Sequence, residues 1–408
     1  MDAPGLESTT NRVPGDPHPL AVAHDHGVPV VAWASPAQDE WALGFGVAHE
    51  VVVPSHSALR ELLAPLCDSP APVPGMPGPW FGGVAFAPAQ GRGLWSGFGV
   101  ARFVVPERLL WRRDGATWLT RFRPGATQAN APAHSPLSVD LGVTETREHW
   151  DDLVTRALQA IRGGTVRKVV VARAKDAQGA RPWDPLALLQ HLGRAYPHCR
   201  IYLHRAPGGA FLVGATPEVL CRVEDRQVWA DALAGSRPPH DGTFGAREHL
   251  EHELVVDAVA ETLRPQCISV DAPTFPSVMK LPNVWHLHTP ITGILRPQVH
   301  PMDVALGLHP TPAVGGVPRA AALSLISEAE GLARGWYAGP VGCLGGGGLH
   351  LCVALRCALV DGNRARVFVG AGIVDGSTPA AEWDETERKA IPMLEALRAS
   401  EGAVHARA

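Results

Sequence analysis

HLCVALRCALVDGNRARVFVGAGIVDGSTPAAEWDETERKA, residues 350–390, reads as a β-hairpin that runs through a glycine-rich segment into a helix. Two apolar, strand-like runs flank Asp361-Gly362, a dipeptide suited to the tight turn between antiparallel strands. In the helix that follows, Glu382 and Glu385 are spaced i,i+3 and Lys389 lies four residues after Glu385, so all three project from one face. Such a cluster is ordinarily a solvated helix face.

Working upstream, REHLEHELVVDAVAETLRP (residues 247–265) predicts a helix with Leu250, Leu254, Val255, Ala258, Val259 and Leu263 on its apolar stripe. AFLVGATPEVLCRVEDRQVWADALAG (210–235) alternates as two short strands around a turn, and VRKVVVARA (166–174) is a β-branched strand. TETREHWDDLVTRALQAIRGG (144–164) offers Thr144 or Thr146 as a helix N-cap, apolar residues at helical spacing, and a Gly163-Gly164 stop. The four glycines at 345–348 lack the lysine and following helix of a phosphate loop and read as a flexible hairpin. Long antiparallel strands mixed with packed helices make this an α+β, or antiparallel-rich α/β, fold. Residues 1–25 form an expected flexible tail, 26–142 a strand-rich first part, and 143–398 the part carrying the chemistry. The segment RPGATQANAPAHSP (123–136) separates the two parts, and ASEGAVHARA (399–408) is a second polar end.

The 408 residues are 46% hydrophobic, which supports a substantial core. A net charge of −4 with scattered Lys and Arg leaves no footprint for nucleic acid, so a small molecule is the expected partner. Seven cysteines without any C-x-x-C spacing point to buried thiols in a reducing compartment. The N-terminus lacks an apolar signal region and no run is long enough to span a membrane, so the cytoplasm is the expected location.

Glu248 and Glu251 repeat the i,i+3 spacing of Glu382 and Glu385. Two helices, each offering a glutamate pair, are candidates to face one another around a divalent cation. Oxygen-only ligands favour Mg²⁺, which keeps several waters and takes one or two carboxylates directly. His249 and His252 lack the H-E-x-x-H pattern, which makes zinc the weaker choice. His286 and His288 share one side of a strand and read as hydrogen-bonded structural residues.

Nine segments then fall in a familiar order: KVVVAR (168–173), GATPEVL (214–220), ALAGSR (232–237), EHELVVDAV (251–259), WHLHTPITG (285–293), LHPTPAVGGVP (308–318), RGWYAGPVG (334–342), ALR (354–356) and GAGIVDGSTPAAEWDETERK (370–389). In these the chain resembles the chorismate-utilising enzymes, a family that includes anthranilate, aminodeoxychorismate, salicylate and isochorismate synthases. The resemblance implies an anthranilate synthase component I-like fold, with two large, mainly antiparallel sheets packed together, helices outside and the active site between them. It implies Mg²⁺ on the ring carboxylate of chorismate, with Glu251 and Glu385 as direct ligands and Glu248 and Glu382 close by or acting through water.

Within the family, Lys168 stands where isochorismate and salicylate synthases have a water-activating lysine and anthranilate synthases a glutamine. Such a lysine needs desolvation or a neighbouring cation to act as a base, and Arg167 and Arg173 are the candidates in sequence, although alternation turns both away. Glu218 matches the general acid. Ala234 replaces the nucleophilic lysine of aminodeoxychorismate synthases, and Ala313 stands where the lyase members have threonine. The resemblance further assigns Arg356, with Tyr337, to the enolpyruvyl carboxylate, and Gly235 and Ser236 to the ring carboxylate. Gly370 and Gly372 are assigned to close backbone approach, His286 to the C4 hydroxyl, and Lys389 to charge balance. These residues resemble those of an isochorismate-forming enzyme, and the family resemblance implies a monomer acting without an amidotransferase subunit. Salicylate synthesis, a non-catalytic chorismate-binding role and a metal-dependent hydrolase stay as alternatives. The pathway served is not legible.

Overall fold

The computed structural model describes residues 6–403, apart from 72–75, 77, 89–92, 125–145 and 240–242. Most of the 123–136 segment, the 142/143 boundary and Thr144 therefore lie outside the described residues. The strands form two sheets, of eleven and ten strands. Both parts of the chain enter both sheets. In the eleven-stranded sheet, Val31–Ser35 pairs with Arg200–Arg205, and in the other, Trp80–Val84 pairs with Pro340–Gly345, each antiparallel. Their inner faces share one core containing Trp80, Phe103, Tyr202, Trp336 and Phe368. The outer face of the larger sheet is covered by the helices Pro185–Ala195 and Pro379–Ala403, through a second cluster with Leu189, Val367, Met393 and Leu397. Val367 and Val369 thus face the helices while Phe368 between them faces the other sheet, as a period of two requires.

The 350–390 stretch divides more finely than its hairpin reading. Cys357–Asp361 and Arg364–Ile373 do form the hairpin, with Asp361 opposite Arg364, but His350 to Val353 belongs to a strand of the other sheet. Ala354, Leu355 and Arg356 therefore carry the chain between sheets. The same happens at 210–235, where three strands stand in place of the expected two. Phe211–Thr216 lies in the larger sheet, Val219–Glu224 and Gln227–Arg237 in the smaller, and Pro217-Glu218 makes the crossing.

Other local expectations hold. Thr146 caps Arg147–Arg162, its hydroxyl accepting from the His149 amide at 3.2 Å. Gly346 and Gly347, both with positive φ, make a tight turn between Gly345 and Gly348. The seven cysteines are free and buried. Among the described residues no helix is long and apolar enough to cross a membrane.

Three expectations are corrected. The N-terminal tail is structured from Ser8, where Ser8–Arg12 pairs with Ala116–Phe122 at a sheet edge. An edge strand with its outer side in water needs no apolar period, which is why the sequence looked featureless. At the other end, the terminal helix continues to Ala403, past the expected boundary at 398. In the helix Ala246–Leu263, Leu250 is 43% exposed while Glu248 and His252 are buried, because the helix lies against Gln227–Arg237 with the glutamate side turned inward.

Candidate active site

Glu218 sits on the first sheet crossing. Its amide donates to the Thr216 hydroxyl at 3.3 Å, and its carbonyl accepts from the Val353 amide at 3.1 Å. The carboxyl is buried and its Oε1 has no hydrogen-bond partner. Burial, with a smaller push from Asp231, raises its pKa to about 8 against the pull of Lys168, Arg356 and Lys389, so the group keeps its proton at neutral pH.

Lys168 begins the strand Lys168–Gln178 and is fully buried, with Nζ 3.0 Å from Glu251 Oε1. Neither arginine of its strand region serves it. Arg167 is exposed, and Arg173 lies over the Trp383 ring at 3.7 Å and bonds Thr386 and Glu387. The other oxygen of Glu251 accepts from the Gly235 amide at 3.2 Å. Two glycines make this packing possible. A Cβ on Gly372 would stand 2.1 Å from Glu251 Oε1, and Gly235 has φ +70° with the Glu248 carbonyl 2.7 Å from where its Cβ would be.

The glutamate pairs of the two helices come to one region, but each carboxylate is met by a basic side chain. Arg247 spans the helices, reaching Glu382 at 2.6 Å and Glu248 at 3.0 Å, while Lys389 holds Glu385 at 2.6 Å. Among the described residues no three acidic, imidazole or thiol groups stand as a ready-made metal cage. The donor chemistry nevertheless fits a hard cation. Burial first, and then Glu385, push the Glu382 carboxyl up to about 7, with Glu251 adding to the repulsion, and a divalent ion would relieve that crowding of negative charge. Glu248 behaves differently: burial opposes its ionisation, yet the Gly245 amide and Arg247 hold it below the ordinary carboxylate range.

Arg356 occupies the second crossing at φ +48°, beside Ala338 at φ +61°. Such non-glycine conformations cost about 1–3 kcal/mol each and persist only where the surroundings enforce them. The Arg356 guanidinium is buried, with Nε unpartnered and Nη2 3.0 Å from His286 Nε2. Because arginine only donates, His286 Nε2 accepts, and its Nδ1–H faces the Ser236 hydroxyl at 3.1 Å. Burial, then Arg356 and Lys389, keep that imidazole neutral. Both ring nitrogens are thus engaged within the protein. Tyr337 stacks on Phe368 at 5.3 Å and closes the wall near Gly370, whose carbonyl accepts from Lys389.

These groups surround a narrow cleft between the sheets. Glu218, Ser236, Glu251, His286, Ala313, Tyr337, Arg356, Gly370, Gly372 and Lys389 line it. Lys168, Gly235, Glu248, Glu382 and Glu385 stand outside that lining. The sequence reading missed Arg247, Asp231 and the buried pair Glu330–Arg334. Arg334 lines the cleft and donates to the carbonyls of Val170 and Val314, both at 2.8 Å. Its place in RGWYAG was visible, and Glu330 lies only four residues before it; that both would be buried together against Val170 and Val314 was not.

Two antiparallel sheets with ionisable groups gathered where the chain passes between them define a two-sheet α/β protein with a buried, charge-lined ligand site. The chain belongs to the chorismate-binding enzymes: the family model described as "Chorismate binding enzyme" matches residues 123–398. It is 37% identical over 272 residues to the salicylate biosynthesis isochorismate synthase of Pseudomonas aeruginosa, a match spanning 63% of this chain but only 56% of that protein. It is 31% identical over 349 residues to the isochorismate synthase MenF of Bacillus subtilis, covering 78% and 74% of the two chains. Its fold matches the solved menaquinone-specific isochorismate synthase MenF of Escherichia coli with a TM-score of 0.76 at 24% identity, over 98% of this chain and 95% of that one.

Proposed function

We propose that this protein converts chorismate to isochorismate, with Lys168 as general base and Glu218 as general acid. The observation that carries this reading is the buried Glu218 carboxyl, protonated at neutral pH and facing the cleft with one oxygen free. Water adds at C2 of the ring, the two ring double bonds shift, and the C4 hydroxyl leaves as water. Lys168 Nζ takes the proton of the attacking water and Glu218 gives one to the departing hydroxyl, so the exchange is neutral overall. The unpartnered Arg356 Nε and its neighbouring Nη2 supply a planar pair of donors for a carboxylate of the substrate. Glu251 and Glu385, with Glu248 and Glu382 nearby, would hold Mg²⁺, which when bound neutralises the ring carboxylate. Arg247 and Lys389 balance the same carboxylates.

Ala313 on the cleft wall favours release of isochorismate over a further pyruvate elimination, since it places no hydroxyl beside the ring. Incubation with chorismate and Mg²⁺, followed by chromatography and a coupled pyruvate assay, tests both points. Isochorismate with little salicylate or pyruvate is expected, and Ala313→Thr should raise the pyruvate fraction. Stoichiometric salicylate from the unmutated protein would assign it to salicylate synthesis.

A further inference from the structure

Where the strands Val219–Glu224 and Gln227–Arg237 run together, their ladder ends at Arg222 opposite Trp229. Val219, next in chain to Glu218, lies outside the paired residues of this ladder. The side chain of Asp231 reaches it, its Oδ2 accepting from Val219 N at 3.0 Å. Its other oxygen accepts from His288 Nε2 at 2.9 Å. On the strand beyond, Asp231 stands opposite Pro290, and its carboxylate is held from two sides, by the Val219 amide on one oxygen and the His288 imidazole on the other.

We propose that Asp231, gripped by His288, is a positioning residue that fixes the Glu218 crossing through the Val219 amide and keeps a negative charge close to it. This rests on Glu218 being the acid. The charged groups acting most strongly on Glu218 are Asp231 from its own sheet, Lys168 from the facing strand, Arg356 from the second crossing and Lys389 from the terminal helix, while Glu251 from the helix Ala246–Leu263 lines the same cleft. Three of the four are cations, which favour loss of the proton. Asp231 is the one that opposes them, and with burial it keeps Glu218 in the acid form.

The test is the pH profile of kcat/KM with chorismate, which reports the essential acid of the free enzyme. Asp231→Asn keeps an acceptor for Val219 and removes the charge, and should move the alkaline limb to lower pH by about 1 unit. Asp231→Glu keeps the charge and should lower kcat while leaving the limb in place. Should the Asn variant not fold, by circular dichroism, Asp231→Ser carries the same expectation. A limb unmoved in the neutral variants, or moved equally by Asp231→Glu, overturns the inference. Glu218→Gln separates the two ideas. Retained turnover there removes the assignment of the acid itself, whereas an inactive Glu218→Gln beside an unshifted Asp231→Asn removes only the role of Asp231.

Discussion

Replacing Glu330 by Gln should cost this protein more stability than most single changes. Glu330 and Arg334 are both buried, with 1% of each side chain exposed, and Arg334 Nε donates to Glu330 Oε1 at 2.6 Å. Glu330 Oε2 also accepts from the Ala172 amide at 2.9 Å, a bond that Gln can keep. Glu330→Gln takes the paired carboxylate away from a buried guanidinium, a cost of about 3–5 kcal/mol. Arg334→Met strands the carboxylate at a similar cost and also leaves the Val170 and Val314 carbonyls without their donor, about 1–3 kcal/mol for each. The double variant buries no charge and bears only the carbonyl penalty, so it should be more stable than Arg334→Met alone. With an unfolding entropy of about 2.1 cal/mol/K per residue, the whole chain loses about 0.9 kcal/mol/K, and a 4 kcal/mol loss lowers Tm by about 5 °C. Calorimetry on the four proteins reads this directly. A Glu330→Gln variant melting with the wild type, or a double variant melting below Arg334→Met, would refute the reasoning.

Because Glu218 acts protonated and its pKa is raised to about 8, kcat/KM should fall as pH rises through that value; a rate that keeps rising above it removes the acid. The same shift is a stability cost. A carboxyl whose folded pKa is raised contributes fully below its unfolded pKa and loses that contribution as pH rises toward the folded value, so Glu218→Gln should be the more stable protein at pH 7 by roughly 3 kcal/mol, with the gain vanishing in acid. Equal melts at both pH values would contradict it. Gly372→Ala should lower turnover about 100-fold with the fold intact, since its methyl takes the place of Glu251 Oε1; near-normal kcat would show that Glu251 has room to move. Glu385→Gln should weaken Mg²⁺ binding in calorimetric titration, and full activity in excess chelator would sink the metal assignment.

Spacing within short segments was enough to foresee much of this protein. The 361–364 turn and the glycine hairpin follow from glycine's backbone freedom, the Thr146 cap from a hydroxyl at a helix start, and the shared face of Glu382, Glu385 and Lys389 from a period of 3.6 residues, all acting locally. The order of nine motifs was enough for the family. Local periodicity states which residues share a face, however, and not what that face meets. Leu250, expected on the buried stripe, is exposed because a sheet lies against the glutamate side of its helix. Nothing near Pro217 in the chain announces a passage between sheets, and that passage is what buries Glu218 and sets it near Asp231, Lys168 and Arg356. Arg247 became a bridge only when the terminal helix docked beside it. A proton affinity or an ion pair depends on desolvation and on charges brought from strands far apart in sequence, and those distances exist only in the folded chain.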